Sequence, residues 1–226
     1  MMARNDVSFL FDLDGTLVDS VYQHVLAWQE ALHAADIELS VWRIHRRIGM
    51  SGGLLTEMLL REVAVEITPG LLETLQHRHA EAYARQVRWV RPLPGAVRLL
   101  QYLTHAAIPW AIATSGRMAT ARYNLELLGV DATRAAVITR DEVQRAKPDP
   151  DLFLAAAARL NSDIQSAVIV GDSIWDMLAA RRARGLGVGL LSGGYGQDEL
   201  ERSGAIRVYE DPADLLRHID EIGGRY

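Results

Sequence analysis

The chain contains no cysteine, so it can build neither a disulfide framework nor a thiolate metal site. That absence accords with a reducing compartment, and a cytoplasmic location is expected. Long apolar runs are missing too. Hydrophobic residues make up 49% of the sequence, yet no run approaches the ~20 residues that cross a bilayer. The polar MMARND opening has no signal-peptide pattern, and no membrane association is expected. Basic charge is not in excess: the formal net charge is -5, whereas nucleic-acid binding normally requires a basic surface. A nucleic-acid partner is therefore not expected, while a small anion held at a local positive site stays open. The chain shows no internal repeat and no low-complexity tract.

What is present is an alternation. At 226 residues the chain can bury one large core, or a core with an insert. VSFLF, residues 7–11, reads as a buried strand ending at Asp12; PWAIAT ends at Thr114; SAVIVG ends at Gly171, just before Asp172. AAVIT (135–139) and GVGLL (187–191) are further strand candidates. Between them GAVRLLQYLTHA, MATARYNLELLG, DLFLAAAARLN and IWDMLAARRARG have helical composition and apolar spacing. Strand–helix alternation predicts an α/β, Rossmann-like doubly wound core around a parallel sheet. In such sheets ligands bind outside the carboxyl ends of the strands, so Asp12, Thr114 and Asp172 should converge there.

Residues 17–91 break the pattern. VYQHVLAWQEALHAA, SGGLLTEMLLREVA and PGLLETLQHRHAEAYARQV read as helices, punctuated at Gly52-Gly53 and Pro69-Gly70. This stretch is predicted to be an inserted α-helical cap, with 1–16 and 92–226 forming the core. The return runs through RPLPGA, where Pro92 and Pro94 restrict the chain and Gly95 allows a turn.

The charged groups at the expected strand ends suggest a chemistry. An aspartate attacks phosphorus only where a cation relieves its repulsion from the phosphate dianion, so a nucleophilic carboxylate belongs beside other, metal-binding carboxylates. Asp12 and Asp14 in FDLDGTLVDS, and Asp172 and Asp176 in VGDSIWD, supply such acids, and Lys147 in AKPDP supplies a fixed cation. Taken singly, each acid also suits a turn or a helix cap, and a lysine before proline suits a solvated surface. Arg43, Arg46 and Arg47 suit a solvated face as well as an anion site, and Arg117, directly after TSG, is the better placed candidate for a distal anion.

In order and separation, DLDGT, the hydroxyl after the second strand, KPDP and GDSIWD make nearly the whole chain resemble the haloacid dehalogenase superfamily hydrolases with a helical cap inserted after the first motif. Within that family it most resembles the branch that includes phosphoglycolate phosphatase and beta-phosphoglucomutase. The resemblance implies that Asp12 is the phosphorylated nucleophile and Asp14 the general acid and base, with Asp14 also meeting the metal through its main-chain carbonyl. It further implies that Thr114 holds the transferring phosphoryl group, aided by Ser115 and Gly116, and that Lys147 offsets charge on phosphate and nucleophile. Asp172 would bind the metal directly and Asp176 through water or by orienting the other ligands; His24 would be a cap histidine acting on the general acid. Hard oxygen donors favour Mg2+, with Mn2+ able to substitute.

The expected activity is magnesium-dependent hydrolysis of a small phosphomonoester through an aspartyl phosphate, on a small phosphorylated metabolite. A sugar phosphomutase is the alternative, but it needs a second phosphate anchor in the cap, and the position after GMS carries Gly52 rather than arginine. A non-catalytic phosphometabolite-binding module is the reading from a different class. Neither the alcohol nor the oligomeric state is indicated by the sequence.

Overall fold

The computed structural model describes residues 7–63 and 65–224; the MMARND start, Ala64 at the end of the expected 51–64 helix, and residues 225–226 lie outside the described residues. The chain forms β1 (Ser8–Phe11) and a short β2 (Val18–Asp19), then α1 (Val21–His33), α2 (Val41–His45), α3 (Gly52–Glu62) and α4 (Pro69–Gln86), and returns through β3 (Arg91–Pro92). Thereafter helix and strand alternate: α5 (Ala96–His105), β4 (Trp110–Ala113), α6 (Met118–Leu127), β5 (Ala136–Ile138), α7 (Asp151–Leu160) and β6 (Ala167–Gly171). The alternation continues with α8 (Ile174–Ala183), β7 (Leu186–Leu190), α9 (Gln197–Ser203), β8 (Ala205–Tyr209) and α10 (Pro212–Arg217).

Six strands pair in the order β5-β4-β1-β6-β7-β8, all parallel. β1 is central because both of its faces are apolar. Phe9 and Phe11 pack with Leu99 and Leu103 of α5 and Leu125 of α6, while Leu10 points the other way into Phe153 and Ala156 of α7 and Ala179 of α8. That is the period-two alternation of a strand covered by helices on both sides, and the architecture is doubly wound α/β. After β1 the chain builds outward through β4 and β5, then crosses to β6 on the other side. The crevice at that reversal lies at the ends of β1, β4 and β6. β8 escapes the apolar-run criterion because AIRVY places Arg207 mid-strand and leaves Ile206 exposed at the sheet edge.

The helices between β2 and β3 have an apolar cluster of their own, including Val25, Leu32, Ile44, Leu59 and Leu75. β2 and β3 pair antiparallel, Val18 with Pro92 and Asp19 with Arg91, so the outgoing and returning crossings run side by side. No helix among the described residues is long and apolar enough to cross a membrane.

Candidate active site

Asp12 follows β1 directly, Thr114 follows β4, and Asp172 follows β6, so three chain segments more than fifty residues apart deliver side chains to one crevice. Asp12, Asp172 and Asp176 are all buried, and one oxygen from each lies within 4.8 Å of the others. Lys147 is wholly buried beside them: its Nζ pairs with Asp12 Oδ1 and lies 2.8 Å from Asp176 Oδ1, close enough for an ion pair though not aligned as a hydrogen bond. The rest of the cluster is held by neighbours. Thr16 Oγ1 donates to Asp172 Oδ1 at 2.7 Å, and Ser173 donates to Asp176 Oδ2 from its amide at 3.1 Å and its hydroxyl at 2.5 Å. The Ser173–Asp176 pair is also a capping box at the start of α8, so the helix terminus fixes the carboxylate.

Burial pushes the Asp12 carboxyl up to about 7, against the pull of Lys147 and with the help of Asp176 and Asp14. Burial likewise holds Asp172 well above the usual carboxylate range, reinforced by Asp176 and Asp12. Lys147, whose burial favours the neutral amine, is nonetheless held above the ordinary ammonium value by Asp12 and Asp176. One ammonium cannot balance three clustered carboxylates, so the protein alone leaves the site short of positive charge. A divalent cation with oxygen ligands fits that shortfall. The backbone is shaped around the acids as well: a Cβ on Gly193 or on Gly15 would run into Asp172 Oδ2, and Gly15 also takes a φ of +82° that favours glycine.

Asp14 points elsewhere. Its Oδ1 accepts hydrogen bonds from Ser20 Oγ at 2.6 Å and Asn124 Nδ2 at 2.9 Å, with His24 Nε2 at 3.3 Å, and its side chain stays outside the three-carboxylate cluster. Burial alone would raise its pKa, but His24 and Ser20 hold it below the usual carboxylate value. His24 in turn meets His79, Nδ1 to Nε2, at 3.1 Å. The His24 ring stacks on Tyr83 with centroids 3.9 Å apart, and His79 stacks on Trp28 at 4.2 Å. Asn124 Nδ2 also reaches Tyr83 OH at 2.8 Å. Asn124, Tyr83 and His79 carry no motif and escape sequence reading. Their signal is only that each is a polar residue on the packed face of a helix, visible once the partner face is known.

A cavity runs from Asp12 along the loop after β4. Thr114 Oγ1 accepts the Gly116 N–H at 3.0 Å, which leaves its own proton free to donate. Ser115 Oγ is buried with no hydrogen-bond partner. Both, with Gly116 and Arg117, line this cavity of about 420 Å3, which also exposes Asp12, Asp14 and His24. Lys147, Asp172 and Asp176 lie off its wall. Arg117 reaches the rim already paired, its guanidinium donating to Asp141 Oδ1 at 3.0 Å. The arginines after α1 are engaged away from the cavity: Arg43 and Arg47 on Glu62, Arg46 on Glu199.

Lys147 is the only lysine in a chain whose lysines and arginines total 24, a compositional signal that singles out this position.

The site is that of an enzyme, and comparison with known proteins agrees. Residues 8–184 match the family model described as a haloacid dehalogenase-like hydrolase. Hexitol phosphatase A of Escherichia coli K12 is 36% identical over 167 residues, 73% of this chain and 74% of that protein. Beta-phosphoglucomutase of Bacillus subtilis 168 is 29% identical over 91% of this chain and 90% of its own length. The crystal structure of a hydrolase from Pseudomonas syringae superposes with a TM-score of 0.93 at 57% identity, covering 95% of this chain and 98% of that one. The chain belongs to the haloacid dehalogenase-like hydrolases.

Proposed function

We propose that the protein hydrolyses a small phosphomonoester through an aspartyl phosphate on Asp12, with magnesium as the metal. The observation that carries this reading is the buried set Asp12–Lys147–Asp176–Asp172 facing, across Asp12, the unpartnered Ser115 hydroxyl and the free Thr114 proton. In the first step an Asp12 oxygen bonds to phosphorus as the ester oxygen leaves and takes a proton from Asp14. In the second, water gives a proton to Asp14, adds to the same phosphorus and breaks the Asp12–phosphate bond, releasing inorganic phosphate. Lys147 neutralises Asp12 in the resting state and stays beside it as charge builds on the phosphoryl oxygens. Bound magnesium, held by Asp12 and Asp172 with Asp176 in support and the Asp14 carbonyl as a further ligand, would offset the charge of the phosphate dianion.

Asp14 is held ionised at rest by its three donors. Its acid role therefore requires those bonds to be exchanged when substrate arrives. Residues 17–91 act in this reading as the cap: they bring His24 to Asp14 and form the wall opposite Asp12. Hydrolysis is preferred to the mutase because the cap arginines are engaged away from the cavity, leaving the cap without an arginine to hold a second phosphate.

The test is phosphate release from a panel of small phosphate esters with magnesium and after chelation, with mass spectrometry of the quenched enzyme. Magnesium-dependent turnover and a phosphoryl adduct on the peptide containing Asp12 are expected, and Asp14→Asn should slow turnover by ~10²- to 10⁴-fold. Turnover that survives both chelation and Asp12→Asn would sink the proposal.

A further inference from the structure

We infer that the cap wall of the cavity is a subsite for an uncharged, polyhydroxylated leaving alcohol, formed by Glu57 and Gln76 with the His79 ring; this rests on the phosphomonoesterase reading above. Three observations lead there. First, among the described residues the helices that form this wall contribute no lysine or arginine to it, and they contribute one carboxylate, Glu57. Arg61 approaches Glu57 only to 3.7 Å, one turn along α3, in a pair whose side chains are largely exposed. An exposed pair of that length leaves most of the acceptor capacity of the carboxylate free.

Second, apart from His24, which is engaged by Asp14, the remaining polar groups of the wall supply both donors and acceptors. Gln76 offers an amide, and burial holds His79 well below the usual imidazole value, so its ring is uncharged at neutral pH. The amides of the first turn of α3, at Gly52 and Gly53, are further donors that a hydroxyl oxygen can use. A polyol hydroxyl satisfies both kinds of partner because it donates and accepts. A carboxylate or second phosphate only accepts, and on this wall it would face Glu57 with no cation; the two arginines that line the cavity, Arg117 and Arg140, lie on the sheet side and are engaged by Asp141 and the Val143 carbonyl.

Third, the space is built in. Neither Gly52 nor Gly53 is a glycine that crowding demands: a Cβ there would meet only Trp28 Cζ2 at 3.9 Å or Gln76 Nε2 at 3.9 Å, ordinary contact distances. The bare backbone leaves room between the phosphate loop and the Trp28 edge, and a flat apolar edge beside hydrogen-bonding groups suits the C–H face of a polyol.

The experiment compares kcat/KM, with magnesium, for p-nitrophenyl phosphate, sorbitol 6-phosphate, phosphoglycolate and glucose 1,6-bisphosphate. The polyol ester should exceed both doubly anionic esters by roughly tenfold or more. Turnover of the p-nitrophenyl ester, with the polyol ester no better than phosphoglycolate or the bisphosphate, overturns the subsite and leaves the phosphatase reading standing. No turnover of any of the four overturns both. Two variants sharpen the result. Glu57→Gln should lower the ratio of polyol ester to phosphoglycolate, and Gly52→Arg, which adds a cation at an ordinary helical position, should lower it further by improving the anionic ester. A ratio that stays unchanged in both folded variants overturns the assignment.

Discussion

The two walls of the cavity are built on different plans. On the sheet side, every reactive group sits on a loop that leaves a strand or opens a helix, and each carboxylate is gripped by a hydroxyl, an amide or Lys147. On the helical side the groups lie along helix faces, stacked as rings: His24 on Tyr83, His79 on Trp28. The first wall concentrates charge in a dry place, which raises the carboxyl of Asp12 to about 7 and leaves the cluster hungry for a cation. The second presents one carboxylate, Glu57, with no lysine or arginine, and offers shape and hydrogen bonds. In the proposed reaction that contrast would separate chemistry from selectivity: the strand ends would position the groups that act on phosphorus, and the helix faces would meet the leaving alcohol.

The sharpest way to break the contrast is to remove charge from the sheet side. Asp12→Asn should lower turnover by ~10³-fold or more, because the amide is no nucleophile. Without metal the same substitution should raise the unfolding temperature at pH 8. The fold holds the Asp12 carboxyl above its ordinary value, so the ionised form is the one the fold disfavours, and an uncharged isostere escapes that cost. Phosphate release and thermal unfolding read the two effects separately, and a fall in both would mean that Asp12 is needed for the fold rather than for the chemistry.

Lys147→Arg should be the next largest effect. It keeps the charge, but Nζ lies between Asp12 and Asp176 at a position with no exposed surface, where a compact ammonium fits and a planar guanidinium does not. A loss of roughly 10²-fold in kcat/KM is expected for every ester alike. Because the chain has one lysine, 15N-lysine labelling gives a single ammonium signal that should shift on phosphate binding. A Lys147→Arg enzyme of parental activity would show that this wall needs only a charge, not a shape.

The same difference decides what can be read from the sequence. Asp12, Thr114 and Asp172 are legible because a buried parallel strand is a short apolar run and its carboxyl end is a fixed place in the fold. Asp176 is legible because it shares a turn with Asp172. The helical wall resists this reading because its residues meet only through packing between helices: His79 reaches His24 from 55 residues away, and Asn124 reaches Asp14 from 110. No local pattern announces either pair. β8 was equally hidden, since an exposed edge strand with arginine at its centre has no apolar run to find.

Magnesium itself should show the charge difference as a pH effect of intermediate size. Asp12 and Asp172 have raised carboxyl values in the metal-free protein, so they bind protons in the folded state that the unfolded chain has already released. Their contribution to stability is present below the ordinary carboxylate value and is lost as pH rises through the folded value, about 7 for Asp12. Metal and proton compete for the same oxygens. The rise in unfolding temperature produced by magnesium should therefore be larger at pH 8 than at pH 5.5. Equal shifts at the two pH values would remove these carboxylates from the metal site.

The smallest effect is expected at the rim, where the two walls meet at Arg117. This arginine is the natural candidate for a distal anion by its place after the phosphate loop, yet its guanidinium is already paired with Asp141, and Asp141 also accepts the Met118 N–H at 2.9 Å at the start of α6. A largely exposed ion pair of this kind is worth at most about 1 kcal/mol, so Arg117→Ala should change kcat/KM by less than ~5-fold on any ester. Asp141→Asn is the more telling variant. The side-chain oxygen of asparagine can still accept the Met118 N–H, while the guanidinium loses its counter-charge and is released toward the cavity. If the rim is silent only because Asp141 neutralises it, phosphoglycolate should improve in Asp141→Asn and the polyol ester should not. A tenfold loss in Arg117→Ala confined to phosphoglycolate would show instead that Arg117 already reads a distal anion despite its partner, and that selectivity is shared across both walls.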